Sequence, residues 1–447
     1  MSRIAVFGAG YEGLVTGASF AELGHTVAIR DIVPAKIEML RAGGVPIHEP
    51  GLGELLERNR DRLSFTLEVA EAVEGAEFVF VCVDTPPTYA GDADLSRVWT
   101  VIEELPPLEQ KPVLVMKSTV PVGTGEKIRA ALDARGLDFG YVSNPEFLAE
   151  GTALRDFLEP DRVVIGAFED DDADAVARLH EGIDAPVVRA DVASAEMIKL
   201  ASNAFLVSRI SFINEIANVC ELMGADVVKV AQGIGLDHRL GPHFLRAGIG
   251  WGGSCFGKDA SSLKQLAGNS GYHFQLLAAM IEVNELQKRR VVAKLQKHLG
   301  SLRGKTIALL GLAFKPGTDD MRDAPSLVIA SRLLAEGAEV RTWDPVADAR
   351  GLLHGATQSE TIAEAISGAD AAVIVTEWDE LRELASPQTR AAMRTPLIVD
   401  GRNLLDPDQV RAAGFAYDAI GRPSSPLDTL PETSEPEVRE PSPAQEE

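Results

Sequence analysis

The chain has 447 residues and a formal net charge of −24, enough length for two or three domains with their own cores. That charge argues against a nucleic-acid partner, because phosphate backbones call for clustered Lys and Arg. Hydrophobic residues at 45% and charged residues at 25% are ordinary for a globular protein, and no apolar stretch approaches the ~20 residues of a membrane span.

The first residues, MSRIAVFGAG, lead straight into a strand without a leader-like pattern. Cys82, Cys220 and Cys255 are too few and too scattered for a disulfide framework or a metal cluster. A cytoplasmic protein with no metal is therefore expected. Small anions remain possible ligands, held by local Arg, Lys and backbone N–H groups.

In chain order, RIAVFG reads as a buried strand, GYEGLVTGASFAELG as a helix and HTVAIRD as a second strand. Strand-like runs recur at 78–83, 112–119, 139–144 and 162–167, mostly with helical patterns between them, which implies a largely parallel sheet covered on both faces. From about Ala193 the pattern becomes helical. SAEMIKLASNAFLVSRISFINEIANVCELMGAD runs without Pro, and further helix is expected at 226–232 and 259–298. The long first helix suits a spacer between domains and a dimer interface. Near Arg303 the alternation restarts with GKTIALLGLAF, AEVRTWDP, AAVIVTEW and PLIVDGRN as strands and PSLVIASRLLAEG as a helix.

The expected architecture is α/β, with two Rossmann-like doubly wound domains (1–192 and 301–422) joined by a long central helix and a helical middle domain (193–300). The Pro-, Ser- and Glu-rich segment 423–447 reads as a disordered acidic tail.

Gly8, Gly10 and Gly13 form a GxGxxG turn between strand and helix, and Asp31 ends the next strand. Such glycines allow a tight turn, close approach of a pyrophosphate and packing of helix on strand, while the acid accepts from ribose hydroxyls and favours NAD over NADP. Tyr11 and Glu12 complete the turn. Asp84 lies in CVDTPP, and Ser118 and Thr119 lie in KSTVPVGT, just past strand ends where ligands of open α/β sheets sit. In NPEFLAEG, Glu146 and Glu150 stand four apart and would face the same way on a helix, as an acid/base pair or as a solvated helix start. Lys199 and Asn203 share one stripe of the long helix, suited to stabilising an oxyanion or to forming a polar patch in an interface. Cys82 and Cys220 sit among apolar neighbours and read as core. Cys255 is different. It follows a glycine run in GIGWGGSCFGKD and precedes Lys258 and Asp259, a setting that suits a nucleophilic thiol as well as a structural one.

Taken together, GAGYEG, KSTVPVGT, NPEFLAEG, EMIKLASN, GIGWGGSCFGKD, LGLAFKPGTDDMRD and VDGRN resemble, in order, the nucleotide-sugar 6-dehydrogenases of the UDP-glucose/GDP-mannose dehydrogenase family. The resemblance implies a homodimer or larger homo-oligomer that oxidises a primary alcohol to a carboxylate with two NAD. Cys255 would form a thiohemiacetal and then a thioester, which water hydrolyses. Lys199 and Asn203 would hold the C6 oxygen, Asp259 would orient or activate water, and Glu146 would assist proton transfer. Which of Asp259, Glu146 and Lys199 is the base stays open.

By the same resemblance, Lys36, Thr85, Ser118, Thr119, Glu150 and Arg322 join the fingerprint as cofactor contacts, with Thr119 also at the reaction centre. Glu146, Phe147, Leu148 and Glu150 line one side of the nucleotide-sugar. Phe244, Leu245 and the 246–253 run, with Arg246, Gly248 and Gly252, wrap it and bring N–H groups to it. Lys315 and Arg402 meet its diphosphate or sugar, and Arg239 is contributed across the dimer. AEG after NPEFL and Phe256 after the cysteine point to UDP-glucose, with GDP-mannose the alternative. Glu12 and Asp84 depart from the family pattern and are expected to make NAD binding weak or salt-dependent. Two rival readings remain, a two-electron β-hydroxyacid-type dehydrogenase with an idle Cys255 and a non-catalytic regulator that binds NAD and a nucleotide-sugar.

Overall fold

Residues 1–424 are described by the structure, a computed structural model, and the expected tail from residue 425 onward lies outside them. The first sheet is built from β1 (Arg3–Phe7), β2 (Thr26–Arg30), β3 (Leu63–Thr66), β4 (Phe78–Val81), β5 (Val113–Met116), β6 (Gly140–Ser143), β7 (Val163–Ala167) and β8 (Val187–Ala190). Its order is β3-β2-β1-β4-β5-β6-β7-β8, parallel throughout except where β7 runs against β6. The second comprises β9 (Thr306–Leu310), β10 (Glu339–Trp343), β11 (Ala356–Gln358), β12 (Ala371–Ile374), β13 (Leu397–Asp400) and β14 (Ala416–Ala419). It is wholly parallel, in the order β11-β10-β9-β12-β13-β14.

Helices cover both faces, so the central strands are buried on both sides and read as unbroken apolar runs; Ile4, Ala5, Val6 and Phe7 have no exposed surface. Both sheets repeat the doubly wound order, which reverses at β1/β4 and at β9/β12. The crevices beyond those strand ends are the ligand positions of this architecture.

Between the sheets runs the helix Val192–Met223, started by Asp191, whose carboxylate accepts from Ser194 N–H at 2.8 Å, and ended by Gly224 at φ 73°. Ala195, Lys199, Asn203, Val207, Ser211, Asn214 and Ala217 recur at helical spacing on its buried face. The helical run expected over 259–298 is three helices, Phe256–Asn269, Gln275–Gln287 and Arg290–Leu299. The first break holds Gly271 at φ 79°, a conformation that costs glycine little. The last helix is tied to the second sheet through Lys294, whose ammonium lies 2.8 Å from Glu221 and 2.7 Å from Asp418. Among the described residues, no helix is long and apolar enough to cross a membrane.

Candidate active site

Beyond β1 the chain turns through Gly8 and enters the helix Tyr11–Glu22 with Gly10 as its first boundary residue and no side-chain cap. The N–H groups of that first turn are thus left for an outside acceptor, and the helix dipole favours an anion there. A Cβ on Gly13 would stand 1.9 Å from the Gly8 carbonyl oxygen; the turn closes only because that atom is missing. Asp31 accepts from Ala9 N–H at 2.7 Å and from Val33 N–H at 2.9 Å, with the Lys36 ammonium 3.8 Å away. Each of its oxygens keeps a second lone pair. The open helix start, the side-chain-free turn and the acid at the end of β2 fit a dinucleotide. Gly13→Ala is expected to weaken NAD binding at least tenfold, or about 1.4 kcal/mol, and to lower the melting temperature, as calorimetry of binding and of unfolding would register.

The loops after β4 and β5 meet beside this turn. The Thr85 hydroxyl donates to the Thr119 carbonyl at 2.9 Å, and the Ser118 hydroxyl donates to the Val83 carbonyl at 2.7 Å. Lys258 bridges from the cysteine helix, donating to Thr85 Oγ1 at 3.3 Å and to Asp259 Oδ1 at 2.7 Å. Asp259 in turn accepts from Asn203 Nδ2 at 2.6 Å, and its own N–H donates to the Cys255 carbonyl at 2.9 Å.

Lys199 donates to Glu146 Oε1 at 2.8 Å, with 4% and 9% of the two side chains exposed. Burial works to lower the Lys199 ammonium, but Glu146, Asp259 and Cys255 together hold it above its ordinary value. Burial likewise works to raise Glu146; Lys199, the Leu148 N–H and Lys117 overcome it and keep the carboxylate ionised. In the resting site, Lys199 is therefore a charged donor and not a base.

Cys255 opens the helix Phe256–Asn269. Its own surface is exposed, yet the cleft around it is crowded with protein. Crowding and the Glu146 charge outweigh Lys199 and push the thiol up to about 11. The resting sulfur is thus held in its protonated, weakly nucleophilic form.

The glycine run before it is wedged between protein segments. Gly253, at φ 88°, has its N–H on the Arg322 carbonyl at 3.0 Å, and a Cβ there would stand 2.8 Å from the Phe314 ring. Gly248 N–H donates to Asn214 Oδ1 at 2.8 Å, and Trp251 N–H donates to Asn284 Oδ1 at 2.8 Å. Asn284 Nδ2 returns a bond to the Trp251 carbonyl at 3.0 Å, and Gln287 Nε2 donates to the Gly248 carbonyl at 2.8 Å. The N–H of Gly248, expected to face a substrate, is thus committed within the protein. The glycines let the central helices and the second sheet domain approach the loop. Sequence reading missed Asn214, Asn284 and Gln287, whose signal is an amide at the apolar face of a helix, each at most 1% exposed.

Several other expectations are corrected. NPEFLAEG is not helical; the next helix begins at Ala153. Glu49 accepts from Gly151 N–H at 2.5 Å and from Ala153 N–H at 2.8 Å, and the Tyr11 hydroxyl sits 2.7 Å from the same Gly151 nitrogen, so the segment is fixed as a loop. Glu146 and Glu150 consequently do not act as one pair. Glu146 meets Lys199, whereas Glu150 accepts from the Thr318 hydroxyl at 2.9 Å and lies 3.5 Å from Arg322. Burial and the neighbouring Asp320 push Glu150 up to about 7.

Arg402 points into the cysteine loop's backing, donating to the carbonyls of Val375 (2.7 Å), Gly250 (2.9 Å) and Phe314 (3.3 Å). Arg239 is exposed and engaged with Asp237 at 2.6 Å, outside this cluster. Phe147 lies under the Arg162 guanidinium at 3.5 Å, and Lys315 lies near Glu150 and Cys255, its ammonium lowered by burial. Phe244 is exposed at φ 59°, Leu245 is buried and Arg246 is exposed. Gly252 abuts the Asp323 carbonyl, where a Cβ would not fit.

Nor do Glu12 and Asp84 add free charge beside the fingerprint. Burial and Glu146 push Glu12 up to about 8, so it holds its proton at neutral pH, and Asp84 is paired with Arg97 at 2.9 Å.

The second domain carries a counterpart that sequence reading passed over. Asp344, after β10, accepts from Leu312 N–H at 2.7 Å and from Ala313 N–H at 3.1 Å, as Asp31 does from Ala9.

Two sheets of the same doubly wound order, one with a dinucleotide fingerprint and both facing a thiol-bearing loop, define a two-domain, nucleotide-dependent dehydrogenase. The chain belongs to the UDP-glucose/GDP-mannose dehydrogenase family: residues 2–184 match its NAD binding domain, 193–286 its central domain and 308–407 its UDP binding domain. It is 45% identical over 433 residues to UDP-glucose 6-dehydrogenase TuaD of Bacillus subtilis, covering 95% of this chain and 94% of that protein. It is also 45% identical over 451 residues to UDP-glucose 6-dehydrogenase of Pseudomonas aeruginosa, covering 94% and 98%. The solved UDP-glucose dehydrogenase of Pyrobaculum islandicum superposes with a TM-score of 0.88 at 38% identity, covering 95% of this chain and 98% of that one.

Proposed function

We propose that the protein oxidises C6 of UDP-glucose to the carboxylate, giving UDP-glucuronate, with Cys255 as the covalent nucleophile. The observation that carries this reading is the joined cluster of Cys255, Asp259, Asn203, Lys199 and Glu146, drawn from three separated segments. Its support from relatives is the activity that the names of the Bacillus and Pseudomonas proteins state, at 45% identity over nearly the whole chain.

The fingerprint turn, Asp31 and the loops of Thr85, Ser118 and Thr119 would hold NAD, which when bound would supply the hydride acceptor for both oxidations. The chain's own residues do the rest. Lys199, held as an ammonium, and Asn203 donate to the C6 oxygen as negative charge gathers there. A carboxylate takes the thiol proton as Cys255 sulfur bonds to the aldehyde carbon, and the carbonyl electron pair moves to the oxygen and is protonated, giving a thiohemiacetal. After oxidation to the thioester, Asp259 orients a water; the C–O bond forms, the C–S bond breaks and the thiol returns. Asp259 is our choice for that base, its carboxylate held by Asn203 and Lys258 one helical turn beyond Cys255.

We read two copies as the working unit. Phe205, Phe212, Val219 and Leu222 form an exposed apolar stripe on the long helix, from 53% to 79% exposed, which a second copy would cover.

Turnover with UDP-glucose and GDP-mannose compared at equal concentration tests the substrate. The expected result is kcat/KM higher for UDP-glucose by at least about 100-fold; a preference for GDP-mannose would overturn this assignment while leaving the thiol chemistry standing.

A further inference from the structure

Cys255 follows a stretch whose shape its own residues do not fix. Gly248, Gly250, Gly252 and Gly253 lie in the run 248–254, which forms neither strand nor helix, and Gly250 and Gly253 sit at φ 96° and 88°. Glycine has the most backbone freedom to lose, and fixing one residue costs about 1–2 kcal/mol. The run is held from outside. Gly248 N–H donates to Asn214, the Ala247 carbonyl accepts from Asn403 Nδ2 at 3.1 Å, and Gln287 donates to the Gly248 carbonyl. Ile249 N–H donates to the Gly401 carbonyl at 3.0 Å.

Asn284, on the helix Gln275–Gln287, closes on both backbone groups of one residue. Its Oδ1 accepts from Trp251 N–H at 2.8 Å and its Nδ2 donates to the Trp251 carbonyl at 3.0 Å, the exchange that a neighbouring strand would offer. Asn284 has no exposed surface, and a Cβ on Gly250 would stand 2.5 Å from its Oδ1, so the loop lies against it without slack. Trp251 carries the grip onward. Its indole N–H donates to Ser211 Oγ at 3.2 Å, and its ring meets Phe256 edge-on with centroids 6.4 Å apart. Phe256 is the first residue of the helix that Cys255 opens and that carries Asp259 in its first turn. From Asn284 to the nucleophile, the contact path runs through Trp251.

We infer that Asn284 is a positioning residue for Cys255, holding the thiol in register through Trp251 for the second of the two oxidations. The inference rests on the thiol reading above, in which the first hydride leaves before sulfur bonds to the aldehyde carbon. Asn284 touches no reacting atom in this account; it removes freedom from a glycine run that would otherwise keep it. A misplacement of about 1 Å at a reacting atom costs about 10²-fold in rate. Lys199, which serves the first oxidation as well, is held by Glu146 from another segment and does not depend on this clasp.

Single turnovers of Asn284→Leu with UDP-glucose and NAD⁺ test this, followed by stopped flow for NADH and by rapid quench for the aldehyde. Leucine is close in shape and removes both bonds. The first NADH is expected within about threefold of the unmodified rate and the second about 100-fold slower, with aldehyde accumulating between them. A loss of stability alone would scale both phases by the folded fraction, so the split is a result that a merely structural amide would not give. Gly250→Ala opens the same clasp from the loop side, its Cβ displacing Asn284 Oδ1; it gives the same split and serves where Asn284→Leu does not fold. The two substitutions together should be no slower than the slower one alone, because they break one contact. Equal slowing of both oxidations in a folded variant, an unchanged second oxidation, or losses that multiply in the pair would overturn the inference while the dehydrogenase reading stands. One NADH per sugar from the unmodified chain would overturn the thiol reading and this inference with it.

Discussion

Cys255→Ser is expected to lower the rate of carboxylate formation by at least about 10³-fold, while NAD and UDP-glucose bind nearly as before. The substitution is almost isosteric, and the side chain is exposed, so the helix it opens has no packing reason to unfold. What disappears is the nucleophile. With its thiol held up to about 11, Cys255 is already a poor nucleophile until a base takes its proton, and a serine hydroxyl is far harder to deprotonate. Without the covalent adduct, the aldehyde carbon is not made tetrahedral by the enzyme, and the second oxidation loses its path. Rapid-quench analysis of Cys255→Ser should find no covalent sugar adduct, and the unmodified chain should show one. Undiminished carboxylate formation by the serine variant would make the thiol idle.

Lys199→Met is expected to be as damaging and to act on two levels. On the proposed reading its ammonium donates to the C6 oxygen, and loss of one such donor costs about 10²–10³ in kcat. It is also the 2.8 Å partner of a buried carboxylate. Breaking such a pair from one side costs about 3–5 kcal/mol, because the charge left behind is uncompensated.

The pH dependence has a definite sign. With Lys199 present, the Glu146 pKa is depressed, so the stability this group contributes is present above its unfolded pKa and fades as pH falls through the folded one. Without Lys199, only the Leu148 N–H and Lys117 oppose burial, so the Glu146 pKa is expected to rise and the variant to lose stability as pH rises instead. Its deficit in denaturant unfolding should be larger at pH 8 than at pH 5. Adding Glu146→Gln to Lys199→Met removes the stranded charge and should recover much of the stability but none of the rate. Recovery of both together would mean that Lys199 served the fold alone.

The fingerprint turn and the cysteine loop stood out in the sequence because their pattern is local. A strand, a GxGxxG turn, a helix and an acid follow one another, and a cysteine sits in a glycine run with no reason of its own to be there. The central strands were equally plain, since a strand buried on both faces is a continuous apolar run. The short edge strands were not. β3 (LSFT), β8 (VVRA) and β11 (ATQ) bury little, with most of their residues partly or fully exposed, and so carry no such run.

NPEFLAEG misled for a different reason. Its carboxylates have helical spacing, but the shape of the segment is imposed from outside by Glu49, about a hundred residues earlier in the chain, through the N–H groups of Gly151 and Ala153. Asn214, Asn284 and Gln287 escaped notice because an amide in a helix announces nothing until its backbone partner arrives from a distant loop. Arg402, which the resemblance assigns to the substrate, also binds the carbonyls of Val375, Gly250 and Phe314, and these come from three separate segments that VDGRN does not announce. In each case the missing term was a long-range polar contact, which local pattern does not encode.

The claim that two oxidations occur at one thiol is tested most directly by counting NADH formed per UDP-glucose consumed, with the sugar limiting and NAD⁺ in excess. A ratio of two, with UDP-glucuronate as the product, is the predicted result. A ratio of one, with the aldehyde accumulating, would contradict the account and favour a two-electron dehydrogenase in which Cys255 takes no part.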